Sequence, residues 1–225
     1  MLFLWILLYG LFFSLSEYAA ALLNAQAWLT TMTMAVYIIL LLCWICKTGQ
    51  QQTVGLVFPC IQRNALLWLL PLIVLPLGNR IATSTLELSV HNVLLTLCIC
   101  MAEELFFRGF LLSFLQSRQR LRSIFTAALI FALFHGGNLL SGWNPQYVMI
   151  QMFLAFSVGM YLCILRLFCG SLVPGIIAHF LVNLTAGSHL NTSFSGALIL
   201  WGICAAIYLV CSLLLFSKID TKHGG

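Results

Sequence analysis

Glu103, Glu104 and Arg108 stand in the middle of an apolar run, CICMAEELFFRGFLLSF (98–114), that is long enough to cross a bilayer. A charge at the centre of a membrane helix costs about 2.5 to 3.5 kcal/mol on insertion scales, so such residues mark a site with a purpose. Glu104 and Arg108 are four apart with the acid N-terminal to the base, the spacing and order that pair them on one helical face. Glu103 is turned by about 100° around the helix and does not easily share that pair. The spacing therefore gives the two acids different work: Glu104 held by Arg108, Glu103 poised as a general base.

Two further polar clusters lie inside apolar segments, FALFH ending at His135 and HFLVN from His179 to Asn183. At about 1.5 Å per helical residue, the key side chains of all three clusters lie roughly 13–24 Å from the same end of their helices. Buried polar groups in hydrocarbon need partners, so helices carrying them at matched depth turn those faces toward one another. The neutral imidazole of His135 can share a water with Glu103, accepting its proton or orienting it for attack. His179 and Asn183 are one turn apart on a single face, and two donors aimed at one point suit a tetrahedral oxyanion. The set reads as water-activated hydrolysis of an amide.

The elements that must position these residues are all-α. Of 225 residues, 62% are hydrophobic and 7% charged, with a mean hydropathy of +1.07, far from the roughly 25% charged of soluble domains. The composition predicts a polytopic membrane helical bundle forming one domain over 1–225. Apolar segments at about 1–16, 28–46, 64–78, 90–117, 124–140, 147–169, 171–187 and 195–217 predict eight transmembrane helices. The first is expected to be retained as a helix: no Lys or Arg precedes it as a cleaved signal would require. The third, with Pro71 and Pro76, is expected to be kinked, tilted or partly inserted. With eight helices, Lys47, Arg63, Arg118, Arg120, Arg122, Arg166, Lys218 and Lys222 fall on one side and Arg80 on the other. That bias predicts both termini in the cytoplasm. The formal charge of +5 is read as this loop bias, with the lipid bilayer and a membrane-associated peptide as partners and no nucleic acid.

Glu103-Glu104-Leu-Phe-Phe-Arg108, Phe131-Ala-Leu-Phe-His135 and His179-Phe-Leu-Val-Asn183 resemble the E-E-x-x-x-R, F-x-x-x-H and H-x-x-x-N motifs of the CPBP family, membrane-embedded proteases that include the type II CAAX prenyl endopeptidases. The motifs occur in order on separate segments, and the resemblance covers a catalytic core over roughly 64–187. It implies a glutamate-type intramembrane endopeptidase without a metal cofactor. In it Glu103 and His135 activate water, His179 and Asn183 form the oxyanion site, and Arg108 holds Glu104. A prenylated CAAX tail, a leader peptide and a sorting signal all suit it as substrates.

Other readings apply to the same residues. Glu104 and Arg108 alone would make a structural ion pair. Glu103, His135 and His179 would make a His/His/carboxylate set for zinc with an open position for water, although no H-E-x-x-H is present. Intramembrane Glu and His also mark ion or proton pathways, and a protease-like scaffold can bind a membrane peptide without cutting it. The nine cysteines, including the pair Cys43-x-x-Cys46, read as small apolar residues within the segments. Phe131 and Phe134 read as packing. His91, His189 and His223, near span ends or in the tail, are given no role. The glycines of HGGN (135–138) either admit a substrate backbone or end the helix.

Overall fold

The computed structural model describes residues 26–58, 89–115, 119–139, 142–185 and 194–221, together with Leu8 and Gly10. The expected spans at 1–16 and 64–78 lie outside these residues, apart from Leu8 and Gly10, as do Arg63, Arg80, Arg118, Lys222, His189 and His223. Among the described residues every regular element is helical. They are α1 (Gln26–Thr48), the single turn α2 (Gln51–Val54), α3 (Val90–Glu103), α4 (Leu112–Leu115), α5 (Arg120–Phe134), α6 (Pro145–Cys169), α7 (Val173–Thr185) and α8 (Phe194–Thr221).

Among the described residues three helices are long and apolar enough to cross a membrane, over Trp28–Thr48, Pro145–Cys169 and Phe194–Ile219. Of the eight expected spans, those at 1–16 and 64–78 lie outside the described residues, and the other segments short of that length show why in their own geometry. Helix α3 does not run on as an α-helix. It passes into a π-helical stretch, Glu104–Leu111, before the last turn α4. Helix α5 has 15 residues before a 3₁₀ turn over His135–Leu139, and α7 has 13. At about 1.5 Å per residue both are shorter than a hydrocarbon core of about 30 Å.

Local chemistry sets the boundaries. Asn144 caps α6 by accepting from the Gln146 N–H at 2.9 Å, Pro145 supplies the first turn, and Gly170 closes the helix in the left-handed region at φ 67°. Ser89 caps α3 by accepting from Asn92 N–H at 3.1 Å.

Ring contacts give the helix directions. Tyr147 meets Phe194 and Tyr161 meets Tyr208, so α6 and α8 run parallel. Helix α1 runs parallel to α3 and the π stretch that continues it, joined at one end by Thr31 Oγ1 and His91 Nε2 at 3.2 Å, and toward the other by Trp44 against Phe110 of the π stretch. The loop after α1 is pinned to the ends of α4, α6 and the start of α7. Ser113 Oγ and Arg166 Nη2 both donate to Thr53 O at 2.9 Å, Leu172 N–H to Gly55 O at 2.9 Å, and Ser171 Oγ to Val57 O at 2.6 Å. Gly55 sits at φ 82°, and a Cβ there would run into the Arg166 guanidinium. Lys47, Arg120, Arg122, Arg166 and Lys218 thus share one end of the bundle.

Candidate active site

The π stretch is the foundation of the site, and all eight of its residues are buried. Each backbone bond in a π turn spans one residue more than in an α-helix, which widens the helix, and such turns recur at functional sites. Here the widened stretch begins at Glu104. Glu104 Oε1 lies 2.9 Å from Arg108 Nη1 and accepts a hydrogen bond from His179 Nδ1 at 2.8 Å. Glu104, Arg108 and His179 are all at least 95% buried.

The Glu104–Arg108 contact is an ion pair by distance rather than an aligned hydrogen bond. Arg108 Nε and Nη2 and Glu104 Oε2 have no hydrogen-bond partner among the described residues. The guanidinium is instead stacked over the Phe131 ring, 4.1 Å from its centroid, an arrangement that stabilises a desolvated cation. Cys163 of α6 lies beside it.

Helix α7 brings Gly175, His179 and Asn183 along one face at four-residue intervals. Gly175 is there because the helix comes close: a Cβ would stand 3.1 Å from Glu104 Oε2. His179 spans the two acids. Its Nδ1 is on Glu104, and its Nε2 is 3.5 Å from Glu103 Oε2 and 3.3 Å from Asn183 Nδ2. A carboxylate only accepts, so the Nδ1 proton belongs to the Glu104 contact. In the neutral ring Nε2 then accepts from the Asn183 amide; in the doubly protonated ring it donates. Two donors 3.3 Å apart can both reach one oxygen at ordinary hydrogen-bond length. Asn183 Nδ2 also points to Cys100 Sγ at 3.5 Å, which together with the His179 contact fixes the amide's orientation.

His135 approaches from the end of α5. Its Nδ1 is 3.0 Å from the Phe131 carbonyl, which can only accept, so Nδ1 carries the proton and Nε2 presents a lone pair. The ring lies within electrostatic range of Glu103, His179 and Arg108. Exposure rises across the site. Glu104 is 1% exposed, the Glu103 side chain 15%, and Asn183 is on the exposed surface. The ion pair lies at the bottom, and Glu103 and Asn183 form an accessible edge.

All six residues expected from the sequence thus lie in one neighbourhood, with Glu103, Glu104, Arg108, His179 and Asn183 in direct chains of contact. One participant escaped the sequence reading. In the sequence Phe131 reads as packing, yet its ring touches Arg108, His135 (4.8 Å), His179 (5.8 Å) and Phe107 (5.0 Å), and its carbonyl orients His135. The four-residue spacing to His135 was the available signal. Among the described residues no group of three His, Cys, Asp or Glu side chains is arranged to hold a metal ion.

No curated protein and no solved structure matches the chain. Residues 85–185 match the family model described as type II CAAX prenyl endopeptidase Rce1-like. That span contains Glu103, Glu104, Arg108, His135, His179 and Asn183. Over this stretch the chain, an integral membrane protein, is similar to the Rce1-like CAAX proteases.

Proposed function

We propose that this protein is an intramembrane endopeptidase that uses Glu103 and His135 to activate water against a peptide bond of a membrane-associated chain, a prenylated CAAX tail being the substrate class the family match favours. The observation that carries the reading is the division of labour around His179: its Nδ1 is taken by Glu104, while its Nε2 and the Asn183 amide face the accessible Glu103 edge. Glu103 takes a proton from water held against the His135 Nε2 lone pair. The hydroxide oxygen bonds to the scissile carbonyl carbon. Negative charge passes to the carbonyl oxygen, where Asn183 Nδ2–H and, in the protonated ring, His179 Nε2–H donate to it. The C–N bond then breaks, and the proton held by Glu103 passes to the leaving amine.

The metal-free form of this chemistry is the one that the resemblance of the three motifs implies; the bound Nδ1 atoms of His179 and His135 leave their Nε2 atoms to water or to zinc alike. The excess of Lys and Arg at one end of the bundle supports a cytoplasmic placement of that end. His179 lies six residues along α7 from it, about 9 Å deep.

The test is cleavage of a synthetic S-farnesyl peptide ending in Cys-aliphatic-aliphatic-X by the purified chain and by Glu103→Gln. Wild-type cleavage that Glu103→Gln abolishes is the expected result. Turnover by that variant at the wild-type rate refutes the mechanism. Peptide that binds but is never cut would favour the scaffold reading.

A further inference from the structure

Beyond His135, the chain makes a 3₁₀ turn, His135–Leu139, rather than continuing as an α-helix. In a 3₁₀ helix side chains three apart eclipse, so Asn138 lies on the same face as His135, about 6 Å farther along. There Asn138 Nδ2 donates to Gln151 Oε1 of α6 at 2.8 Å. Both side chains are only partly buried. Two side-chain amides can pair through two hydrogen bonds, but among the described residues these two make one. Asn138 Oδ1 and Gln151 Nε2 therefore retain an acceptor and a donor beside that bond.

That pair matches the two groups of a peptide unit, an N–H to give and a C=O to receive. In apolar surroundings unmet amide groups are costly, which favours an occupant that satisfies both. An extended chain advances about 3.3 Å per residue, so 6 Å corresponds to about two residues. Gly136 and Gly137, between the two polar residues, leave the approach open: a Cβ on Gly137 would meet nothing, and one on Gly136 only the Met152 thioether at 3.7 Å. We propose that Asn138 and Gln151 form a subsite that hydrogen-bonds one backbone peptide unit of the substrate, about two residues from the scissile bond. The proposal rests on the protease reading above and adds where the substrate's main chain is held.

The test pairs a shape-conserving double variant, Asn138→Leu with Gln151→Met, with S-farnesyl peptides that each carry one N-methylated amide within three residues of the cleaved bond. Replacing both partners by apolar groups of similar shape leaves no stranded amide, so the fold is retained. In the wild type, N-methylation at one position should raise KM about 5- to 10-fold, the size of a lost hydrogen bond. The double variant should show that raised KM with unmodified peptide, nearly unchanged kcat, and no further loss on N-methylation. If the N-methyl penalty is the same in both proteins at every position, the pair merely clasps α6 and the proposal is wrong. Binding of the same peptides to Glu103→Gln by fluorescence anisotropy reads the subsite independently of cleavage. Position-dependent loss there, absent when the double substitution is added, supports the subsite even if the wild type cuts none of the peptides, an outcome that would sink only the protease reading.

Discussion

Replacing Glu104 by Gln and Glu103 by Gln should damage the protein in opposite ways. Glu104 is 1% exposed, and one of its oxygens serves both Arg108 at 2.9 Å and His179 at 2.8 Å. Removing its charge leaves a fully buried guanidinium without a counter-charge, beside the Phe131 ring and Cys163. Breaking a buried pair by losing one partner costs about 3–5 kcal/mol. The Gln oxygen still accepts, so the lower end, about 3 kcal/mol, is expected. For a domain of this size that lowers Tm by roughly 6–12 °C. Glu103 is different: its contact with His179 is 3.5 Å and its side chain retains some exposure. The loss on Glu103→Gln is about 1 kcal/mol or less, under roughly 4 °C in Tm. Thermal unfolding followed by tryptophan fluorescence in detergent, run beside peptide cleavage, separates the two. Glu103→Gln should melt near the wild-type temperature and be inactive, whereas Glu104→Gln should melt early. The reasoning is refuted if Glu103→Gln collapses while Glu104→Gln is thermally unaffected, because the two carboxylates would then have exchanged roles.

His179→Ala and Asn183→Ala should each lower kcat by about 100- to 1000-fold while changing KM little, since their donors act mainly once the oxyanion forms. If zinc takes part instead, His179→Ala should also release stoichiometric metal and Asn183→Ala should not, and chelation followed by zinc addition should abolish and restore cleavage. Phe131→Leu keeps a buried apolar side chain but removes the ring under Arg108 at 4.1 Å. It should lower Tm by about 1–8 °C, whereas Phe134→Leu, at a position 38% exposed, should change Tm by less. Gly55→Ala imposes a left-handed φ on a residue with a Cβ, at about 1–2 kcal/mol, and pushes Arg166 off the Thr53 carbonyl. Limited proteolysis should then cut the 49–58 loop faster, and adding Arg166→Ala should cost less than the sum of the two single changes.

The parts of the site that were legible in the sequence are those set by helical period. Four-residue spacing pairs Glu104 with Arg108 and places His179 and Asn183 on one face because both lie within single helices. Segment positions were legible for the same reason: the apolar stretch 147–169 appears as Pro145–Cys169. The contact between His179 and Glu104 joins residues 75 apart, and nothing local to either says that one imidazole will serve two acids. The π stretch was illegible too. Residues 104–111 have an ordinary helical pattern, and the wider turn accompanies packing of Glu104 and Arg108 against α5, α6 and α7. The same limit applies to Phe131, whose composition says only that it is buried, while its position beneath Arg108 depends on which helix crosses which.

The placement of Glu104 ties these observations into one electrostatic arrangement. The Glu104–Arg108 pair lies at the bottom of the site and Glu103 at its edge, and His179 is the group between the two acids, with one ring nitrogen toward each. Its Nε2 lies at the edge shared with Asn183. The buried pair therefore does more than hold helices together. By engaging Nδ1 it leaves the remaining nitrogen of His179 facing the Glu103 edge, where the proposed mechanism has charge develop, and it gives the Arg108 cation a partner other than Glu103. A structural ion pair alone would need neither the second carboxylate nor the histidine between them, which is why the four-residue set, rather than any single pair within it, supports hydrolysis over packing.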